Sequence, residues 1–299
     1  MPPDKRRFDV GTIDELAQLL KVTTGEISYA LPRLRSFYRR QDKVKPNGDI
    51  RTLWKPQGTL RKLQDAIKNE VLAKVKFPSW VQGGVMGRSV RTNAVHHVGR
   101  PFLSTMDIHA CFPSINPHKV RRVFDDLFFS GDALGVITKL TTWEYQLPQG
   151  APTSPAIANL ALASLDRRQI GLAKQHQLTY TRYVDDMGCS GGRRLPNVRN
   201  LQERIVVSEG YAIKPLKPGQ KKIMRREEDR QELTGLVLNE KANLPREKRN
   251  AILQEAKLAV RKIGKLTQAQ QGRVSWIRSV NPDLSIAAAP AATETETRK

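Results

Sequence analysis

A pair of adjacent carboxylates at the end of a strand-like segment constrains this chain more than any other feature. Residues 178–184 have the composition of a β-strand, and Asp185 and Asp186 follow where that strand should turn. Two neighbouring carboxylates repel each other, so a purely structural turn avoids them, whereas a bound divalent cation removes the repulsion. The pair therefore indicates a metal site, and the alternative is a solvated acidic turn that binds nothing.

A third carboxylate ends an earlier strand. Residues 102–106 form a short apolar run that is typical of a buried strand, and Asp107 follows it directly. If the two strands are neighbours in one sheet, all three carboxylates meet at one edge. Such a cluster could hold two Mg²⁺ ions about 3.5–4 Å apart, one activating a 3′-hydroxyl and the other stabilising a leaving pyrophosphate.

The charge of the chain indicates a polyanionic partner. The sequence has 51 Lys and Arg against 29 Asp and Glu, a net charge of +22 that is too large for an ordinary enzyme of small-molecule metabolism. Nucleic acid is the first candidate. No apolar run is long enough to span a bilayer, the N-terminus lacks a secretory signal, and the two cysteines cannot form a disulfide framework. We therefore expect a cytoplasmic protein with no membrane partner.

Strands alternate with helices in the middle of the chain, which predicts an α+β core. We expect helices that begin near Asn116 and Ser154, and a strand over about 233–239. The segment after Pro245 is helical and basic. The Ala-rich tail 281–299 is expected to be disordered because it has little to bury.

Three segments resemble motifs of reverse transcriptases, and they occur in that family's order. The segment from Tyr183 to Asp186 resembles the Tyr-x-Asp-Asp box. Asp107, with Phe112 five residues later, resembles the first palm motif. The stretch QGAPTSP at 149–155 resembles the motif that begins the palm helix beneath primer and template. Together these motifs indicate an RNA-directed DNA polymerase.

Further segments narrow the resemblance to retron reverse transcriptases. Residues 93–97 fit the Asn-Ala-x-x-His box of that group, 233–235 resemble its Val-Thr-Gly segment with Leu in the first position, and 43–51 resemble its fingers segment. Two residues depart from the group, since Val184 stands where Ala is usual and Lys214 stands where Asn is common. Neither departure changes a predicted metal ligand.

The resemblance implies a right-hand polymerase fold of the α+β class, with an antiparallel palm sheet backed by helices. It also implies a division of the chain. Residues 1–100 would form the N-terminal helices and fingers, 101–240 the palm with a fingers insertion at about 119–148, and 241–280 a small helical thumb.

The resemblance assigns roles to individual residues. Asp107, Asp185 and Asp186 would be the catalytic residues and would bind two Mg²⁺ ions, together with the backbone carbonyl of Ile108. Contacts with the incoming dNTP are implied for Arg51, Lys45 (or Lys43), Ala110, Cys111, Phe112, Gln149, Gly150 and Lys217. Contacts with RNA are implied for Asn93, His97 and Tyr183.

Several of these assignments have structural alternatives. Phe112 would pack under the dNTP sugar and exclude ribonucleotides by clashing with a 2′-hydroxyl, and otherwise it is a core aromatic. Lys217 would protonate the pyrophosphate, with Lys214 and Lys221 as neighbouring candidates. His97 is otherwise a hydrogen-bonded structural histidine, and its box would then position the fingers.

The resemblance also implies a function. A retron enzyme copies part of a cognate structured non-coding RNA, which serves as template and primer. Synthesis starts from the 2′-hydroxyl of an internal guanosine, and the cDNA product is a branched RNA–DNA molecule (msDNA). A separate effector protein and a role in antiphage defence are implied as well. The alternatives are a reverse transcriptase of the group II intron, diversity-generating or abortive-infection type, and a non-catalytic RNA-binding scaffold.

Overall fold

The computed structural model describes residues 8–44, 48–215 and 224–280, so the expectation for the tail 281–299 lies outside the described residues. None of the described helices is both long and apolar enough to cross a membrane. The α-helices in chain order are α1 (Ile13–Leu20), α2 (Thr24–Ala30), α3 (Leu34–Phe37), α4 (Gly58–Ala66), α5 (Val90–Val95), α6 (Pro117–Asp125), α7 (Gly131–Thr141), α8 (Ser154–Ala161), α9 (Ala163–Gln175), α10 (Leu195–Ser208), α11 (Arg246–Ile263) and α12 (Gln268–Val280).

An antiparallel sheet of four described strands lies at the centre of the molecule, in the order β4-β5-β3-β6. β1 and β2 form a separate hairpin, and β7 and β8 form a short ribbon. The strands are β1 (Tyr38–Val44), β2 (Ile50–Pro56), β3 (Phe102–Asp107), β4 (Thr179–Tyr183), β5 (Asp186–Gly191), β6 (Met224–Arg226), β7 (Glu232–Leu233) and β8 (Leu236–Val237). This mixture of helices and antiparallel strands confirms the expected α+β class.

The first helices begin at capping boxes that are visible in the sequence. The Thr12 hydroxyl accepts a hydrogen bond from the Glu15 backbone N–H at 3.2 Å, and the Glu15 carboxylate accepts one from the Thr12 N–H at 3.0 Å. Thr23 and Glu26 form the same reciprocal pair at the start of α2. The side chain of Asn116 caps α6 as expected. The helix expected from residue 154 is divided into α8 and α9.

A large hydrophobic core joins the N-terminal helices to the helices behind the central sheet. Within it, α6 and α7 pack against the N-terminal part of the chain. The backbone N–H of Phe8 donates to the carbonyl of Leu127 at 3.2 Å, and Gln64 Nε2 donates to the carbonyl of Leu140 at 2.8 Å. The region predicted as a fingers insertion therefore lies against the first helices, while the domain boundaries themselves stay a prediction.

A second, smaller core holds α12 against α5, β3 and the β7–β8 ribbon. The strand expected over 233–239 is interrupted inside this core, because Thr234 and Gly235 have positive φ values of 49° and 80° and turn the chain. The buried members of this core are Ala94, Leu103, Leu233, Leu236, Leu238, Leu244, Ile277 and Val280.

Candidate active site

The β4–β5 hairpin and β3 bring the three predicted carboxylates to one end of the central sheet. Asp186 is the first residue of β5 and lies opposite Asp107, the last residue of β3, in the antiparallel register. Asp185 stands in the hairpin turn, and its carbonyl accepts a hydrogen bond from the backbone N–H of Ile108 at 2.9 Å. Carboxylates from two distant stretches become neighbours because their strands pair directly.

The hairpin turn contains a strained residue. Val184 has a φ of 61°, in the left-handed region that β-branched residues avoid at a cost of about 1–2 kcal/mol. The guanidinium of Arg182 donates to the Val184 carbonyl at 2.8 Å. Gly83 packs so closely behind the turn that an added Cβ would lie 2.4 Å from the Val184 backbone nitrogen. Strain held in place by such contacts is typical of functional sites.

The carboxylates lie in surroundings that disfavour their charge. Burial, followed by the charges of Asp107 and Asp185, raises the pKa of Asp186 to about 7. Burial and the charge of Asp107 raise the pKa of Asp185, and the positive charges of Arg51 and Lys214 oppose that shift. A cation placed among these side chains would relieve their mutual repulsion.

The donor set suits a hard divalent cation, although its side chains do not form a closed cage. Among the described residues, no group of three or more His, Cys, Asp or Glu side chains is already placed to hold a metal. One carboxylate oxygen of Asp107 lies 3.6 Å from Lys214 Nζ, and one of Asp186 accepts from the backbone N–H of Thr234 at 3.3 Å. Mg²⁺ commonly binds one or two protein carboxylates together with substrate phosphates. The residues therefore fit an ion that is shared with a nucleotide.

The β1–β2 hairpin supplies positive charge next to the carboxylates. Arg51 lies opposite Lys43 in the hairpin register, and its charge acts on Asp185. This electrostatic effect is consistent with a place for Arg51 beside the site, and its contact with a dNTP stays a prediction. Lys45 and Lys217 lie outside the described residues, so their contacts with a dNTP stay predictions.

The loop at residues 149–150 docks onto the same hairpin. The backbone N–H of Trp54 donates to the carbonyl of Gln149 at 2.7 Å. Gly150 has a φ of 105°, and a Cβ at this position would lie 3.3 Å from the Cβ of Leu53. A residue with a side chain would therefore be strained here, and glycine allows the close approach. The loop with Gln149 and Gly150 is therefore attached to β2, the strand that contains Arg51.

The residues that follow Asp107 differ in what they present to solvent. Ala110 is exposed and turns the chain with a φ of 44°. Cys111 is buried, and burial raises the pKa of its thiol to about 12. Phe112 is half-buried at the border of the large core. The expected dNTP contact of Cys111 is therefore wrong for its side chain, which points into the protein interior, while Ala110 and Phe112 stay accessible.

The expectation that Asn93 and His97 contact RNA is wrong in this structure, because neither residue has exposed surface. The two ring nitrogens of His97 each lie 2.7 Å from a hydroxyl oxygen, one of Ser190 and one of Thr181. The Thr181 hydroxyl donates to Asn93 Oδ1 at 2.6 Å. Burial lowers the pKa of His97 to about 3, so the ring is neutral. The Asn-Ala-x-x-His box therefore connects α5 to β4 and β5 through buried hydrogen bonds. Tyr183 is partly exposed, and its contact with RNA stays a prediction.

Sequence reasoning missed a buried group of polar side chains beside the turn. Arg182 is fully buried and pairs with Asp166, which is 2% exposed, at 2.7 Å. Arg182 Nη1 also donates to Asn159 Oδ1 at 2.9 Å. The available signal was a charged residue inside the strand-like run 178–184, where a surface charge was the ordinary interpretation.

Comparisons with known proteins agree with this geometry. The sequence profile described as "Reverse transcriptase (RNA-dependent DNA polymerase)" matches residues 43–218. The Retron Ec86 reverse transcriptase of Escherichia coli is 32% identical over 245 residues, which covers 80% of this chain and 75% of that protein. The Retron Mx65 reverse transcriptase of Myxococcus xanthus is 32% identical over 262 residues, covering 80% of this chain and 60% of that protein.

Solved structures are more distant. A foamy viral protease-reverse transcriptase in complex with double-stranded DNA gives a TM-score of 0.41 at 16% identity, covering 93% of this chain and 50% of that one. The assignment therefore comes from the sequence matches.

The hairpin that carries the carboxylates and the match over residues 43–218 define the class of protein, an RNA-directed DNA polymerase. Reverse transcriptases of this class use divalent metal ions. Within the class, the chain belongs to the retron-type reverse transcriptases, as its 32% identity to the Retron Ec86 enzyme, 75% of whose length it covers, shows. The predicted family and enzyme class are thereby confirmed.

Proposed function

We propose that this chain copies a cognate non-coding RNA into DNA by two-metal nucleotidyl transfer, with dNTPs as substrates and two Mg²⁺ ions as cofactors. The observation that carries the proposal is the direct pairing of Asp107 with Asp186 across β3 and β5, with Asp185 in the adjoining turn. That pairing supports the proposal because it places carboxylates from two distant stretches of a strongly basic chain at one end of the central sheet.

Asp107 and Asp185 would hold both ions, with Asp186 in a supporting position and the Ile108 carbonyl as a further ligand. When bound, the ions supply charge that activates the attacking hydroxyl and stabilises the leaving pyrophosphate. Arg51 would bind the triphosphate, and the effect of its positive charge on Asp185 supports this role. The chain thus orients the dNTP and the hydroxyl for displacement at the α-phosphorus.

The half-buried ring of Phe112 would lie under the dNTP sugar and select deoxyribose. Gln149 and Gly150, docked on β2, would line the new base pair. In the first step, the 2′-oxygen of an RNA guanosine would bond to the α-phosphorus while the bond to pyrophosphate breaks. The product would be the branched RNA–DNA molecule msDNA.

The RNA partner is supported by the net positive charge of the chain. The two curated relatives are named as retron enzymes, and the net charge of this chain is +22. Contacts with phosphate groups make such binding strongly dependent on salt. Exposed basic residues on α11, the predicted thumb, include Arg246, Lys248, Lys257 and Arg261. We extend the proposal to a role in antiphage defence, together with a separate effector protein.

The decisive experiment is primer extension on an RNA template with Mg²⁺. We expect Asp185→Asn to lower extension roughly 10²–10⁴-fold, because charge stabilisation by the ions is worth several kcal/mol, and to leave RNA binding intact. Asp14→Asn makes the same change of charge at an exposed position of α1 and should behave as wild type. Undiminished extension by Asp185→Asn would rule out the metal assignment, and wild-type protein that binds RNA without extension would indicate a scaffold.

The sugar gate has its own test. We expect Phe112→Val to raise the ratio of ribonucleotide to deoxyribonucleotide incorporation, because the smaller side chain leaves room for a 2′-hydroxyl. Phe77→Val removes the same atoms from a half-buried ring elsewhere on the core and serves as the matched control. An equal ratio in the two variants would count against the gate.

The priming chemistry is tested in cells. We expect expression of the chain together with its neighbouring DNA to yield a branched RNA–DNA species that a debranching enzyme converts to linear products. Recovery of linear cDNA alone would contradict priming from a 2′-hydroxyl.

A further inference from the structure

We propose that Arg182 is a positioning residue for the carboxylate turn. Together with Asp166 and Asn159, it holds Val184 in its left-handed conformation and so sets where Asp185 lies. The inference rests on the proposed function, because it concerns the geometry of the same site.

The guanidinium of Arg182 is buried, and each of its three nitrogens donates to a protein acceptor. Arg182 is 0% exposed and its partner Asp166 is 2% exposed. Nε and Nη2 donate to the two oxygens of Asp166 at 2.8 and 2.7 Å, and Tyr180 donates its hydroxyl hydrogen to the same carboxylate at 2.8 Å. This bidentate pair fixes the plane of the guanidinium, so the direction of Nη1 is fixed as well.

The remaining nitrogen reaches the turn. Arg182 Nη1 donates to the Val184 carbonyl at 2.8 Å and to Asn159 Oδ1 at 2.9 Å. Val184 is the residue with a φ of 61°, and its carbonyl belongs to the peptide that leads into Asp185. A hydrogen bond from an immobile group to that carbonyl fixes the peptide whose rotation would move the Asp185 side chain.

The same group closes the space behind the turn. Asn159 Nδ2 donates to the Gly83 carbonyl at 2.9 Å, and the backbone N–H of Gln82 donates to the Arg182 carbonyl at 2.7 Å. The backbone N–H of Arg182 donates in turn to the Trp80 carbonyl at 2.8 Å. The turn therefore lies between the guanidinium and the Gly83 segment, which restrict its movement on these two sides.

Lysine cannot replace arginine in this arrangement. Arginine offers several donors in a rigid plane, whereas the lysine ammonium is a single point charge on a flexible stem. Arg182→Lys would keep a positive charge next to Asp166 but could not also reach the Val184 carbonyl and Asn159 in the same geometry. The variant therefore tests the hydrogen bond to the turn separately from the positive charge next to Asp166.

The experiment measures the maximal rate of single-nucleotide incorporation and the dissociation constant of the template–primer. We expect Arg182→Lys to lower the rate roughly 10²-fold, as small misplacements of reacting groups do, with little change in the dissociation constant. Glycine adopts positive φ freely, so Val184→Gly in the Arg182→Lys background should restore roughly tenfold of the rate. A purely structural role of Arg182 would give no such rescue.

Circular dichroism and thermal unfolding establish that the variants fold. If Arg182→Lys does not fold, Asn159→Ala, which leaves the pair with Asp166 intact, is measured in the same scheme. We expect it to lower the rate roughly threefold to tenfold, with recovery by Val184→Gly. A wild-type rate in the folded single variants would overturn the inference. A double variant with Val184→Gly that is no faster than the corresponding single variant would also overturn it. Inactive wild-type protein would instead overturn the proposed function.

Discussion

Substitution of Gly83 by alanine tests how tightly the catalytic turn is enclosed. The added Cβ would lie 2.4 Å from the backbone nitrogen of Val184 and 2.8 Å from the carbonyl carbon of Tyr183. Both contacts are with backbone atoms, so no flexible side chain can move aside. We therefore expect Gly83→Ala to displace the turn that carries Asp185.

The size of the effect follows from the geometry. Ordinary van der Waals contact begins at 3.4 Å, so the Val184 nitrogen must move by about 1 Å from its 2.4 Å separation. A displacement of that size near reacting groups costs roughly 10²-fold in rate. Overpacking of this kind also destabilises a fold by about 1–3 kcal/mol. The two effects are separable because one is measured as a rate and the other as a free energy of unfolding.

The assay is single-nucleotide incorporation on a primed RNA template, accompanied by denaturant unfolding. Gly192→Ala is the matched control, because its added Cβ meets no atom within 4 Å and its φ is not in the left-handed region. We expect the control to retain wild-type activity and stability. A Gly83→Ala protein with wild-type rate and stability would refute the enclosure of the turn.

Three further predictions concern charge. In EDTA at pH 8, Asp186→Asn should stabilise the fold by about 2–4 kcal/mol, because the carboxylate is charged at that pH although its folded-state pKa of about 7 lies above the usual 3.8. The gain should vanish as the pH falls to about 4, where the carboxyl group is protonated in the folded protein. Urea unfolding that shows no gain at pH 8 would contradict this prediction. His97 should affect the pH dependence of stability in the opposite direction, because its folded-state pKa of about 3 lies below the usual 6.5 and stability falls as the pH drops below about 6.5. The advantage of wild type over His97→Gln in unfolding free energy should therefore shrink by up to about 1.4 kcal/mol per pH unit. A difference that stays constant with pH would refute the buried neutral ring. Lys214→Gln should bind Mn²⁺ without nucleotide about fivefold more tightly, because the Lys214 ammonium lies 3.6 Å from an Asp107 carboxylate oxygen and a cation must displace this pair, which is worth about 1 kcal/mol in water. Unchanged Mn²⁺ binding in electron paramagnetic resonance would contradict this competition.

The parts of the site that local patterns specify could be predicted from the sequence. The apolar run before Asp107 and the strand-like run before Asp185 each indicate a strand end, and the direct pairing of β3 with β5 then brings the carboxylates together. Arg51 follows a predicted turn, and its positive charge acts on Asp185 in the structure. The strand ends and the turns are specified within a few residues, whereas the pairing of β3 with β5 joins distant segments and entered the sequence analysis only as a condition.

The parts that depend on distant partners could not be predicted. Whether Asn93 and His97 face RNA or the core is decided by hydroxyl groups of Thr181 and Ser190, about ninety residues further along the chain. A buried arginine cannot be distinguished from a surface arginine in a basic sequence until Asp166 is known to lie against Arg182. The positive φ of Val184 is likewise a consequence of packing, since valine itself disfavours it.

The segment that encloses the turn also covers a vulnerable edge. β4 is the outermost strand on its side of the described sheet, and the hydrogen bonds to Trp80 and from Gln82 occupy backbone groups of Arg182 that would otherwise be unpaired. An exposed edge strand is a template onto which another chain can add, and such addition begins aggregation. Changes that detach residues 80–83 should therefore have two effects, since they should lower activity and also increase self-association.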